Sequence, residues 1–324
     1  MLQFPAPVAE LVSFQPRPYQ STDDLRAMSA LIRRAYARAS GWNAWTFARF
    51  DIWAQRRIAD EVVKGCSDWQ PHMALWEDEV GRLVGAVFFP DSVAPYCDLN
   101  AAVILVDPYH RDLWPTLLDW AEEHHAALNL PDGALRVEVL DSNAVLTELL
   151  QARGYVKPTA HFIHRAKTLD PAVREPVTLP PGFALQMMKT KDQVEKHLQA
   201  VKTVFNFEDT VSVYRIVAQA RCSVPELALI VVSPSGEVAA FARLWVDVFN
   251  SVAEFEPVGT VPAYQKRGLA AALLAEGHNR LRAMGCQTAT VDSWSESVGA
   301  NRLYEAAGLL PADEMYEWRA PTRG

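Results

Sequence analysis

The sequence predicts an α/β protein of two tandem domains, on three observations. Pro108 and Gly154 lie 46 residues apart, Pro262 and Gly308 repeat that spacing, and the two pairs are displaced by 154 positions. Around each pair the same order recurs: an extended apolar run, a proline turn, an amphipathic helix, a strand and a helix ending in glycine. Between the copies, residues 169–182 (LDPAVREPVTLPPG) hold four prolines and no periodic pattern, which reads as a linker. A period this long, repeated once, means tandem domains and not a solenoid. The expected division is 1–168, a linker at 169–182, and 183–324, and 324 residues suit two domains of about 150.

In the first copy the order reads AAVILVDPYH, LWPTLLDWAEEHHAAL, ALRVEVL and AVLTELLQARGY. In the second it reads EFEPVGTVPAY, a glycine turn and helix, QTATVDS, and ANRLYEAAGLL. The second turn carries chemistry. Gln265-Lys266-Arg267-Gly268-Leu269-Ala270 leads straight from an extended segment into a helix. The first N–H groups of a helix have no partner inside it, and the helix dipole puts positive potential behind them. Such a turn is an anion site. Gly268 and Ala270 keep side chains out of the way of a phosphate, and Lys266 and Arg267 add charge beside it. The loop is suited to a pyrophosphate. Neither GxxxxGK[ST] nor GxGxxG is present, so the common nucleotide folds are excluded.

The pattern Q-x-x-G-x-A after a strand resembles the coenzyme A loop of the GNAT acyltransferase superfamily, [QR]-x-x-G-x-[GA], where glycine is commoner than Ala270 at the last position. A strand at Thr288 to Asp292 follows. The run from Ala300 to Gly308 then looks like the family's A-x-x-L-Y-x-x-x-G-[FL] signature. The resemblance implies mixed, mainly antiparallel sheets, with acetyl-CoA bound in the second domain. It implies main-chain contacts from Val258, Gly259 and Thr260, and from Gln265 through Ala271, with Gly259 near a splay of the donor strand. It implies transfer of the acetyl group by direct attack of an amine in a ternary complex. Glu254, eleven residues before Gln265, stands where one branch of the family has its general base; Glu256, on the same strand face, is the alternative. Tyr304 matches the residue that protonates the departing thiol. Seven residues before it the family usually has Asn, but this chain has Ser297, with Asn301 one turn later; a serine is able to make part of that contact. The tandem arrangement is similar to that of two-domain bacterial acetyltransferases such as mycothiol synthase.

The first copy has no glycine where the second has its loop, and reads His110-Arg111-Asp112-Leu113-Trp114-Pro115. Trp114 and Asp112 are expected to obstruct and repel a phosphate, and Leu150 stands in the place of Tyr304. This domain is expected to lack ordinary coenzyme A binding and to serve as a support and a wall of the substrate pocket. For the acceptor, Phe205, Glu208 and Asp209 fall in a connector between helices, and Trp245 and Asp247 lie on the strand before the donor strand. A solvated loop and a turn residue are the competing readings for Asp209 and Asp247. The acceptor is expected to be a primary amine of a small molecule. Alternatives are a longer acyl donor, a protein amino group, or a coenzyme A-binding regulator without turnover.

Composition narrows the classes further. A net charge of −8 argues against nucleic acid as a partner. No apolar run approaches a membrane span, and MLQFPAPVAELVSF has no export-signal pattern, so a cytoplasmic protein is expected. Cys66, Cys97, Cys222 and Cys286 are scattered and read as reduced thiols. His124-His125 and His161-x-x-His164 lack zinc spacing, so no metal is expected. Trp42, Trp45, Phe47, Phe50 and Trp53 read as core or as a domain interface. Monomer and homodimer both remain open.

Overall fold

The computed structural model describes residues 15–90, 98–130, 133–207 and 209–321. The first half runs β1 (Arg17–Pro18), α1 (Thr22–Arg38), α2 (Phe47–Lys64), β2 (Met73–Glu77), β3 (Leu83–Phe88), β4 (Ala101–Val106), α3 (Trp114–Ala127), β5 (Arg136–Leu140), α4 (Ala144–Ala152) and β6 (Phe162–Thr168). The second runs β7 (Ala184–Met187), α5 (Lys191–Phe205), α6 (Val211–Val217), β8 (Ser223–Val232), β9 (Val238–Asp247), β10 (Val252–Thr260), α7 (Leu269–Ala283), β11 (Thr288–Trp294), α8 (Val298–Ala306) and β12 (Leu310–Arg319). The two series have the same order, and α4 and α8 sit at the 154-residue displacement at both ends.

Local chemistry accounts for the helix limits. Ser21 with Asp24, and Thr190 with Gln193, form capping boxes that satisfy the first N–H groups of α1 and α5. Thr46 caps α2 by accepting from Arg49 N–H, and Gly65, at φ +67°, ends that helix in the left-handed region. β3, β4 and β9 are buried along their whole length, as strands covered by helices on both faces must be.

All twelve strands form one sheet, ordered β1-β2-β3-β4-β5-β12-β6-β11-β10-β9-β8-β7. Only β4/β5 and β10/β11 pair in parallel, so the sheet is mixed and mainly antiparallel. The order reads the same from either end once each strand of the first half is matched to its counterpart in the second. The halves have exchanged their last strands. β12 lies against β5 of the first half, and β6 lies against β11 of the second.

The cores also cross between the halves. Trp45, Phe47, Phe50 and Trp53 pack with Val213 and Val217 of α6 and with Trp245 of β9, which makes the aromatic run both core and interface. Each such ring contributes about 2–3 kcal/mol by burial. Residues 169–183, which hold neither helix nor strand, are clasped at Glu175. Its carboxylate accepts from Lys167 Nζ and Arg282 at 2.8 Å and meets His278 Nδ1 at 3.0 Å. Burial works against its charge, but these three donors win and hold its pKa down at about 2.

Candidate active site

The site forms where β10 and β11 part. Their parallel pairing covers Val252 to Glu254 against Thr288 to Thr290 and then stops, although β10 continues to Thr260 and β11 to Trp294. A register shift between Phe255 and Val258 bends β10 away, next to the Glu256–Pro257 peptide, which is cis. Trp245 holds the bend by donating its indole N–H to the Glu256 carbonyl. Val261 N–H bonds Ala239 of β9 at 3.0 Å, so strand alternation turns Thr260 N–H toward the opening. Gly259 is required by packing: a Cβ there would fall 2.4 Å from the Phe241 ring.

Beyond the opening, Lys266 at φ +61° and Gly268 at φ +77° make the turn into α7. A Cβ on Gly268 would meet nothing, so its glycine serves the left-handed backbone and not a steric gap. Leu269, buried, anchors the helix start. Ala272 N–H is the first taken up by the helix, bonding the Gly268 carbonyl at 3.0 Å. Among the described residues, no protein acceptor lies on the N–H groups of 266–271. This cradle fits the pyrophosphate of a coenzyme A. Arg267 folds back toward Ala263 O, Tyr264 and Phe183, and Gln265 Nε2 bonds Thr260 O at 3.3 Å. Pro176 to Pro180 pass over the helix start and, with Arg267 and Gly268, enclose an open hollow of about 440 Å³.

Glu254 lies at the apex of the split, 5% exposed. Its carboxylate accepts a hydrogen bond from Thr46 Oγ1, contributed by the start of α2 in the first half. Burial, reinforced by the charge of Asp292, lifts its pKa to about 7, against the pull of the Thr46 bond, His164 and Arg49. Glu256 also rises to about 7, through desolvation and then the charges of Glu254 and Asp292. Glu256 is exposed to solvent, and that weakens its desolvation. Glu254 carries the firmer shift. Asp292 and His164 are joined at 2.7 Å, and Arg49 pairs with Glu138 at 3.0 Å. Tyr304 is buried, its hydroxyl has no hydrogen-bond partner among the described residues, and burial with the charge of Glu256 raises its pKa. It stays protonated at neutral pH, as a proton donor must.

Other expected residues are committed elsewhere. Asn301 accepts from Ser293 Oγ and donates to the carbonyls of Trp294 and Ser295, so it shapes the turn between β11 and α8. Ser297 is exposed at the start of α8, with its hydroxyl available. Asp209 is neutralised by Arg56 of α2 at 2.8 Å, which removes it as a partner for a cationic amine. Asp247 bonds Arg33 at 3.0 Å and closes its own turn through Phe249 N–H and Asn250, the turn role. Phe205 is half exposed beside Phe241; Glu208, like Cys97, lies outside the described residues. Trp114 corrects an expectation: it does not obstruct the start of α3 but turns inward, 1% exposed, against Trp42. Asp112 is exposed there. Sequence reasoning missed Thr46, His164 and Asp292. Asp292 sits 154 positions after Glu138, which was the one available signal.

A split parallel strand pair, an unpartnered glycine turn at a helix start and a buried carboxylate at the apex thus meet in one place in the second half. Residues 194–309 match the model of the Acetyltransferase (GNAT) family, so the second half carries a GNAT-family domain. The whole chain is similar to a tandem GNAT protein from the clavulanic acid biosynthesis pathway, at 15% identity and TM-score 0.65, over 96% of this chain and 100% of that one. It is also similar to a GCN5-related N-acetyltransferase from Sphaerobacter thermophilus, at 20% identity and TM-score 0.63, over 96% and 97%. A GNAT-family acetyltransferase from Colwellia psychrerythraea aligns at 10% identity and TM-score 0.59, over 95% and 100%. At these identities the likeness is one of fold. Among curated proteins, none matches the chain.

Proposed function

We propose that the protein moves an acetyl group from acetyl-CoA to a primary amine of a small molecule, by direct attack within a ternary complex. The observation that carries this reading is Glu254: a buried carboxylate poised near neutral pH at the point where β10 turns its N–H groups into the split. A base with pKa near the working pH combines the right protonation state with useful strength. Glu254 takes the proton from the ammonium group of the acceptor, and the freed nitrogen lone pair attacks the thioester carbonyl. The main-chain N–H groups of β10 stabilise the oxygen that gains charge. Tyr304 O–H gives its proton to the departing sulfur, and the proton that the nitrogen sheds on becoming an amide restores the phenol. The N–H groups of 266–271 hold the pyrophosphate, with Lys266 and Arg267 beside it. On this reading the first half is a degenerate GNAT-like domain that supplies a wall of the site.

Thiol release from acetyl-CoA with a panel of small amines tests this. Release that depends on an amine, and is absent in Gly268→Glu, supports it. Tight coenzyme A binding with no amine-dependent release would overturn it in favour of a regulatory protein, and release only with a peptide amine or a longer acyl-CoA would correct the acceptor or the donor.

A further inference from the structure

The exchanged strand β6 brings His164, a residue of the first half, to the second half's base. His164 and Glu254 line one small cavity of about 20 Å³ with Thr46, Thr290 and Tyr36. That space admits a single water molecule. Two carboxylates line it, Glu254 and Asp247, with Asp292 bonded to His164 behind, and a buried acidic cluster stays ionised only with a cation facing it. Arg49 is tied to Glu138 and Arg33 to Asp247, each at 3.0 Å. His164 stands on the cavity wall, and Asp292 holds its ring through Nδ1 at 2.7 Å, which leaves Nε2 outside that bond.

Resting on the proposed acetyl transfer, we propose that His164 is a positioning residue for the base: its imidazolium, held by Asp292, keeps the Glu254 carboxylate ionised and ready to accept the proton of the amine. Burial works against charge on the ring, but Asp292, joined by Glu254 and Asp313, keeps its pKa above the usual histidine value. The coupling is reciprocal: the ring stabilises the carboxylate and the carboxylate stabilises the ring. The other groups facing Glu254 are Tyr36 from α1, Arg49 from α2, Asp247 from β9, Glu256 from β10 and Asp292 from β11. The Cys222 thiol, ahead of the paired part of β8, also feels its charge. These stay the same in the single variants below.

The test pairs an NMR titration with pH–rate profiles. In the protein carrying ¹³C-labelled histidine, the resonance missing from His164→Gln is expected to titrate above the usual histidine midpoint. In Glu254→Gln that midpoint is expected to fall by about half a pH unit or more. An unmoved midpoint overturns the proposal, and because the titration needs no turnover it decides the matter even if acetyl transfer fails. With turnover, the acidic limb of kcat/KM is expected to move to higher pH in His164→Gln. In His164→Arg it is expected to return, as a restored cation requires, and in His164→Gln/Asp292→Asn it is expected to fall back, because two opposite charges leave together. A limb that stays at the parent position in a folded His164→Gln, or damage that simply adds in the double variant, overturns the role. A parent enzyme that releases no thiol with any amine sinks the acetyl-transfer reading instead.

Discussion

The two parallel strand pairs are built alike and differ in what fills them. β4 and β5 separate after two pairings, Ala101 with Arg136 and Ala102 with Val137, much as β10 and β11 separate after three. In the first half the opening is plugged. Asn43 accepts from Val106 N–H at 3.0 Å and donates to Val106 O at 3.3 Å, and Val106 is the counterpart of Thr260. Trp45 donates to Glu138 at 2.7 Å, and Asn143 reaches Trp42 O at 2.7 Å. The connector between α1 and α2 thus fills one split with Trp42 to Trp45 and steadies the base of the other through Thr46. The first split is filled by hydrogen bonds from within the chain, and the same connector reaches the second through Thr46.

The largest effect that sharpens this contrast is expected at the glycine turn. Gly268→Glu adds strain at φ +77° and a negative charge at the anion cradle. Coenzyme A affinity is expected to drop at least 100-fold by calorimetry, with binding stoichiometry in the parent of one per chain and not two. Next, Glu254→Gln is expected to lower kcat by about 10²–10⁴. In the parent, the base is protonated as pH falls through about 7, so activity is expected to decline on that side, and the decline is expected to disappear in the variant. Tyr304→Phe is expected to cost roughly tenfold in kcat, since a thiol with an ordinary pKa near 8.5 leaves with little help. The counterpart change Leu150→Tyr is expected to gain no activity and to destabilise the protein by overpacking, by about 1–3 kcal/mol on denaturant melts. The smallest effect belongs to Asn43→Ala, which uncovers the first split. Stability is expected to fall by about 1–3 kcal/mol, the cost of an unmet buried polar group, with coenzyme A stoichiometry still one. A second binding event there would break the comparison.

Much of the fold was legible because it is written in local patterns. Strand–turn–helix order, the 154-residue displacement and the glycine turn all lie within short stretches of chain. The exchange of β6 and β12 was not legible. Neighbours in that part of the sheet lie more than a hundred residues apart, and alternation in β6 reads the same whichever strand it joins. The site divides along the same line. Glu254, Tyr304 and the turn residues were singled out through short motifs that resemble the family's. Asp209 and Asp247 showed their charge but not the distant arginines, Arg56 and Arg33, that absorb it. Thr46 looked like an ordinary helix cap, which it also is; its bond to a carboxylate 208 positions away has no signature in one dimension.

The trading of final strands between the halves bears on how the protein can be shortened. Expressing 183–324 by itself would strip β11 of its neighbour along seven consecutive residues, leave β12 without either flank, and take away the hydroxyl that steadies the base. Such a fragment would offer raw backbone edges to other chains, which favours clumping over catalysis. The first half thereby completes the sheet of the second.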